Sequence, residues 1–394
     1  MQPPQPLRRL QSSLPCLLVV RQLMACWVCS LIWLTSSGPV SGADPLVRIR
    51  DSESEHTGRI VALSQSRCTL MDRQGRLIEL NIPELTAMER LNERFRADST
   101  STFRTELSRE FGRQYDVAGS THYLICAPRG HGSKYADLFE QIYRDVEQFY
   151  RVRGFRITKP DVPLVAVVFA SQKEFFAYCV KDKVAPNPGL MGYYSLVTNR
   201  VALFDTGGAF RSASVETSKD NDSIIALSGI TGQTASTIVH ETIHQVGYNI
   251  GIHTRLGETP LWLVEGLATV LEPTSMRNRL NNQDSIQRVN PERYDWFQDK
   301  YRPQRPAGSL ARLIASDQSF QQHTLSAYSE AWALTFFLLE NPARRRNLVT
   351  YLQKVADRDS GKTYPTKERL ADFQSVFGDL SRLEVEFLRY MDRL

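Results

Sequence analysis

The sequence predicts an α+β protein: a mixed β-sheet, a helical C-terminal half and a small N-terminal β/α module. Three observations carry this. Short strand-like runs bounded by turn residues are concentrated before residue 205. Apolar residues at helical spacing dominate after Thr231. The continuous apolar run Leu164–Ala170 has the length of a buried strand rather than a helix.

The 394 residues are 42% hydrophobic and 23% charged. That mixture excludes wholesale disorder, a collagen-like repeat and a polytopic membrane protein, and its length suits one large or two smaller domains. The net charge is +5, of which Arg8, Arg9 and Arg21 contribute three, leaving +2 for the rest of the chain. So nearly neutral a body lacks the dense basic face that a nucleic-acid partner requires.

Residues 1–43 have the pattern of an export signal. Basic residues precede the apolar runs Leu14–Val20 and Leu23–Leu34, and Ser41-Gly42-Ala43 fits a small-residue cleavage site. The expected location is therefore secreted or in the cell envelope. The other reading is an N-terminal anchor that is not removed, the only way this chain would contact a membrane. Beyond residue 43 only Cys68, Cys126 and Cys179 remain. Three scattered cysteines make neither a disulfide framework nor a cysteine-based zinc site; one disulfide or three buried thiols are both open.

Residues 44–118 are expected to form the small module. Arg59–Leu63, Cys68–Met71 and Arg76–Leu80 read as a β-meander, with a turn at Asp72-Arg73-Gln74-Gly75. Helices are expected from Pro83 to about Arg96 and over Phe103–Phe111. Residues 119–394 form the second unit. It opens with a strand at Tyr123–Cys126. An amphipathic helix from Lys134 follows, with Tyr135, Leu138, Phe139, Ile142, Val146, Phe149 and Tyr150 on one face. After the strand Leu164–Ala170 come a short helix, Gln172–Val180, and a hairpin of Gly192–Leu196 with Arg200–Phe204 around Thr198-Asn199. Residues 206–223, rich in Gly, Ser and charge, read as a loop. Helices are then expected at Gln233–Ile250, Leu261–Leu271, Leu310–Ala315, Leu325–Leu339, Arg344–Val355 and Leu380–Leu394, whereas 272–305 shows no clean period.

The segment that carries chemistry is His240-Glu241-Thr242-Ile243-His244. Histidines at i and i+4 stand one above the other on a helix, so both imidazoles can reach one ion. Glu241 is rotated about a hundred degrees from them. From there its carboxylate can reach a water activated by that ion, the division of labour of metal-assisted hydrolysis. Ile238, Val239, Ile243 and Val246 make this a buried helix, where two histidines and a glutamate need a shared partner. A catalytic zinc site also needs a third protein ligand. Glu265, inside the apolar stretch Pro260–Ala268, is the first candidate, because a carboxylate there requires a cation or an ion pair. His253 is the competing candidate. Gly247 fits the H-E-x-x-H-x-x-G-x-x-H pattern, but the required histidine position is Ile250, and His253 comes three residues later.

With Glu265 following it, the His240–His244 motif resembles the gluzincin clan of zinc metallopeptidases, the thermolysin and aminopeptidase type. The segments Gly192–Ser195, Asn199–Leu203, Trp262–Ala268 and Tyr328–Leu334 resemble an uncharacterised bacterial family of secreted proteins in the peptidase-MA-like superfamily. The resemblance spans about residues 120–350. It implies a mixed sheet beside the active-site helix, zinc held by His240, His244 and Glu265, Glu241 as general base, and a peptide or protein substrate. The clan often has an Asp four residues beyond the ligand Glu, bracing a ligand histidine. Here that position is Thr269, so either Thr269 or Glu272 must take the role. Tyr328 resembles in placement the catalytic tyrosine of aminopeptidase-like gluzincins and is the expected oxyanion donor, with His323 in reserve. The other readings are a non-catalytic binding or structural protein of the same fold, and a zinc amidase acting on cell-wall peptide links.

Overall fold

The computed structural model describes residues 45–205, 230, 232–277 and 284–394. The export-signal segment 1–43 and the 206–223 loop reading lie outside the described residues. Among those described, no helix is long and apolar enough to cross a membrane.

Five antiparallel strands form the first sheet: β1 (Pro45–Arg50), β2 (Glu55–Leu63), β3 (Arg67–Asp72), β4 (Leu77–Asn81) and β5 (Ala87–Arg94). Their spatial order is β4-β3-β2-β1-β5. The expected meander is β2–β4. Its core is small, built on Val47, Ile49, Cys68, Leu70 and Leu80. The helix expected from Pro83 to Arg96 does not form. Ile82–Glu84 make a single 3-10 turn, and Ala87–Arg94 run against β1 with Val47 opposite Arg90 and Ile49 opposite Met88. Good helix formers in Met88–Arg94 are overridden because the edge of β1 presents backbone groups that need partners. The strand is almost wholly exposed, so it has no apolar alternation to betray it.

The second sheet is mixed. It contains β6 (Tyr115–Gly119), β7 (Tyr123–Pro128), β8 (Leu164–Phe169), β9 (Gly192–Tyr194) and β10 (Arg200–Phe204), in the order β6-β7-β8-β10-β9. β7, β8 and β10 are parallel; β6 and β9 are antiparallel edges. Four helices clothe it: α1 (Thr100–Phe111), α2 (Gly132–Val152), α3 (Gln172–Lys181) and α4 (Gly232–Asn249). Alternate strand residues diverge to two cores. Ile125, Ala166, Val168, Val201 and Leu203 join the core shared with α2 and α4. Cys126, Val165, Val167, Ala202 and Phe204 join Phe103 and Leu107 of α1 and Phe175 and Cys179 of α3. Cover on both faces is why β8 reads as an uninterrupted apolar run. Thus α1 and β6, grouped with the N-terminal module from sequence, pack with the second sheet. Cys68, Cys126 and Cys179 are all buried free thiols.

The C-terminal half is helical: α5 (Leu261–Leu271), α6 (Thr274–Arg277), α7 (Pro291–Asp295), α8 (Ser309–Ala315), α9 (Gln318–Gln322), α10 (Thr324–Glu340), α11 (Pro342–Ala356), α12 (Thr366–Phe377) and α13 (Leu380–Met391). The molecule is α+β, with a helical second half behind an N-terminal β module. α5 is apolar around most of its circumference because it lies inside the helical layer. It crosses α10 at very close range. A Cβ on Gly266 would sit 2.2 Å from Thr335 Oγ1 and 2.7 Å from the Ala331 carbonyl oxygen, so only glycine permits this contact. α12 escaped the sequence pattern because Phe373 is its only fully buried apolar residue.

Candidate metal centre

α4 presents the site, and three contacts fix where it does so. Gln245 Nε2 donates to the carbonyls of Val165 (3.0 Å) and Asn199 (2.8 Å), fastening the helix to the ends of β8 and β10. Asn199, in the left-handed region at φ 59°, exchanges reciprocal amide hydrogen bonds with Asn249 and accepts one from Tyr194 Oη. Gly192 allows β9 to press on the helix: a Cβ there would lie 2.7 Å from Thr237 Cγ2. The outer strand of the hairpin therefore runs beside the turn that leads into His240.

His240, His244 and Glu265 converge. Their ligand-capable atoms all lie within 4.8 Å of one another. The two Nε2 atoms are 3.0 Å apart, and Glu265 Oε2 lies 3.5 Å from His240 Nε2 and 3.4 Å from His244 Nε2. Donors about 2.1 Å from a tetrahedral ion stand roughly 3.4 Å from each other, so the group has the dimensions of a metal site. Glu265 Oε2 is buried without a hydrogen-bond partner. A buried acceptor left without one is costly, and a cation between the three residues satisfies it. The electrostatics agree. Burial alone would push the Glu265 carboxyl up, but the neighbouring His244 charge and contacts with both imidazoles hold it well below its ordinary range. Burial disfavours charge on His240, yet its contacts with Glu265 and Glu272 hold it well above the ordinary imidazole value. The site calls for positive charge, and two nitrogens with one oxygen suit zinc among other divalent ions.

Glu272, not Thr269, braces the candidate ligand His240. Glu272 Oε1 lies 2.7 Å from His240 Nδ1, which leaves Nε2 to face the other two ligands. Thr269 Oγ1 instead donates to the Glu265 carbonyl at 2.7 Å and stays within its own helix. Glu272 is held in turn by Asn290 Nδ2 (2.5 Å), which also donates to the Thr269 carbonyl (3.0 Å). Asn290 Oδ1 caps α7 by accepting from the backbone N–H of Arg293. The Arg293 guanidinium lies over the Tyr328 ring at 5.5 Å. Burial pushes the Tyr328 phenol up, then the Glu265 charge and a hydrogen bond to it, and then the charge of Glu241. The chain of contacts thus returns to the triad.

The remaining sequence candidates divide. Glu241 is partly exposed and has no hydrogen bond or ion pair among the described residues, so its carboxylate is uncommitted. Tyr328 stands against Glu265, while His323 is exposed at the start of α10. His253 is buried but outside the triad, its ring 5.1 Å from that of Tyr248 and its Nδ1 unbonded. Burial and the charge of His244 push it down to about 3, so it is a neutral packing residue. The sequence reading missed Asn290 and Arg293. Their local signal was Asn-Pro, an N-cap followed by a proline suited to the first helical turn.

Residues 234–360, from the first turn of α4 to just beyond α11, match a family described as "Protein of unknown function (DUF1570)". No curated protein matches the chain. The matched segment carries the triad, Glu241, Glu272, Arg293 and Tyr328, so this chain is similar to that family over the stretch in which the candidate metal centre lies.

Proposed function

We propose that the protein is a secreted, zinc-dependent metallopeptidase of gluzincin type. The observation that carries this reading is the pairing of a braced His240–His244–Glu265 group with the uncommitted carboxylate of Glu241, on the helix that carries both histidines. A purely structural ion-pair cluster needs no free carboxylate at its rim, and a metal-binding protein without chemistry needs no base.

His240, His244 and Glu265 would hold a zinc ion, and Glu272 fixes which nitrogen of His240 is presented. Bound there, the ion would supply Lewis acidity towards a peptide carbonyl and lower the pKa of water. Glu241 takes the proton of the attacking water and delivers it to the leaving amine. Tyr328 donates its hydroxyl proton towards the carbonyl oxygen as negative charge develops there. β9, the edge strand beside α4, offers backbone groups to an extended peptide, a mode that supplies hydrogen bonds without reading sequence.

The test is metal analysis of purified protein together with a cleavage profile on a broad peptide library. One zinc per chain, with Glu241→Gln retaining metal but losing hydrolysis by several orders of magnitude, is the expected result. Near-normal turnover by Glu241→Gln would end the mechanism. Zinc retained in Glu265→Ala but lost in His253→Ala would reassign the third ligand.

A further inference from the structure

Besides its two histidines, the site is described by acidic groups: Glu265 in the triad and Glu241 and Glu272 beside it. Arg293 is the cation whose charge is felt at the Tyr328 hydroxyl alongside Glu265 and Glu241. Its placement is built rather than incidental. α7 is capped by Asn290, the same side chain that holds Glu272, so the backbone at Arg293 is fixed to the brace of the metal centre. The guanidinium lies over the ring of Tyr328.

Its hydrogen-bonding capacity is nevertheless largely unused. Nε is buried without a partner. Among the described residues its one ion pair is between Nη1 and Glu292 at 3.2 Å, and the Glu292 side chain is 76% exposed. An exposed pair between adjacent residues contributes little. A planar guanidinium with donors to spare, 16% exposed and backed by an aromatic ring, suits a carboxylate better than a neutral acceptor.

We infer that Arg293 reads a carboxylate of the substrate beside the scissile bond, so that the enzyme prefers peptides bearing an acidic group there. This rests on the peptidase reading. The shared chemistry has two sources, an Asp or Glu side chain and the free C-terminal carboxylate of a short peptide. In either case the substrate's negative charge offsets the guanidinium while its scissile carbonyl lies towards Tyr328.

The experiment uses matched peptides carrying Glu or Gln at each position flanking the bond, blocked at both ends, and Gln peptides with a free or amidated C-terminus. Cleavage is measured with the zinc-loaded full chain and with Arg293→Gln and Arg293→Lys. Binding of the same peptides is measured by calorimetry to Glu241→Gln, with and without Arg293→Gln. The expected result is a preference for the acidic peptide of about tenfold or more in kcat/KM or in affinity, abolished in Arg293→Gln and partly kept in Arg293→Lys. Preference for a Glu position identifies the side chain; preference for the free terminus identifies the C-terminal carboxylate. Zinc content and melting temperature show that the variants are folded, and Arg293→Glu should shift preference towards Lys peptides. Cleavage with the same Glu-to-Gln ratio in wild type and Arg293→Gln overturns the inference and leaves the peptidase reading intact. Arg293-dependent binding of acidic peptides without any cleavage overturns the peptidase reading and, with it, the placement beside a scissile bond, and leaves only carboxylate recognition by Arg293. Neither binding nor cleavage of any peptide overturns both.

Discussion

Gly266 is the residue at which a single methyl group should damage the metal centre without touching it. Replacing it with alanine puts a Cβ 2.7 Å from the backbone oxygen of Ala331 and 2.2 Å from Thr335 Oγ1. Ordinary contact begins at 3.4 Å, so α5 and α10 must separate by about 0.7 Å to reach it even after Thr335 turns away. Glu265 is the preceding residue on α5, and Tyr328 stands on α10. Zinc–ligand distances tolerate only about ±0.2 Å, so a shift of that size moves Glu265 off its ligand position. Overpacking costs about 1–3 kcal/mol, partly offset by the roughly 1 kcal/mol by which alanine exceeds glycine in helix propensity. Stability therefore falls modestly, and zinc affinity falls further, by about tenfold to a hundredfold. Chelator-competition titration beside thermal unfolding separates the two. Adding Thr335→Ala should restore only part of the affinity, because the Ala331 oxygen cannot move aside. Zinc affinity within twofold of wild type in Gly266→Ala would show that the helix contact does not position Glu265.

Glu272→Gln should lower zinc affinity by about 10–100-fold, whereas Thr269→Ala, which removes a bond internal to α5, should lower it much less; equal losses in a chelator titration would count against Glu272 as the brace. Tyr328→Phe removes one hydroxyl and little packing volume, so kcat should fall at least about tenfold with zinc content and melting temperature unchanged; if activity holds while His323→Ala loses it, the role moves to His323. His253→Ala should keep a full equivalent of zinc while losing about 1–3 kcal/mol of stability in denaturant unfolding, because it empties a buried site against Gly247 and Tyr248; loss of the metal would return His253 to the ligand set.

What could be read from sequence tracks how local the signal is. Elements whose apolar residues are contiguous or repeat within one helix or strand are legible: α5 and β8 nearly to the residue, and α2 by the face it buries. β1, β5 and β6 are not, because each owes its state to a neighbouring strand: β5 is eight exposed or half-exposed residues of good helix formers held in place by β1. α12 went unseen for a related reason, its partners being other helices and its strictly buried apolar face a single phenylalanine.

The same distinction runs through the candidate metal centre. His240 and His244 are legible because one helix supplies both and sets their spacing. Glu265 is legible because a carboxylate in an apolar helix needs a cation. Glu272 is three residues beyond Thr269 and seven beyond Glu265, so both candidates lie on the face that Glu265 occupies, and helical spacing does not choose between them. The choice is made by what faces each side chain. Thr269 is buried where its hydroxyl finds the Glu265 carbonyl, while Glu272, at the end of α5 where the backbone is still helical, meets His240 from a different helix. Asn290 is more remote still. Asn-Pro predicts a helix cap, and Asn290 Oδ1 makes that cap, but its Nδ2 finds Glu272 only because the chain returns across the end of α5. The partners of a cap are within four residues in sequence; the partner of a brace is wherever the core has brought it. For this reason Arg293 is tied to the candidate centre only through Tyr328, over whose ring it lies, and Tyr328 stands on a helix that packs against a glycine of the helix opposite.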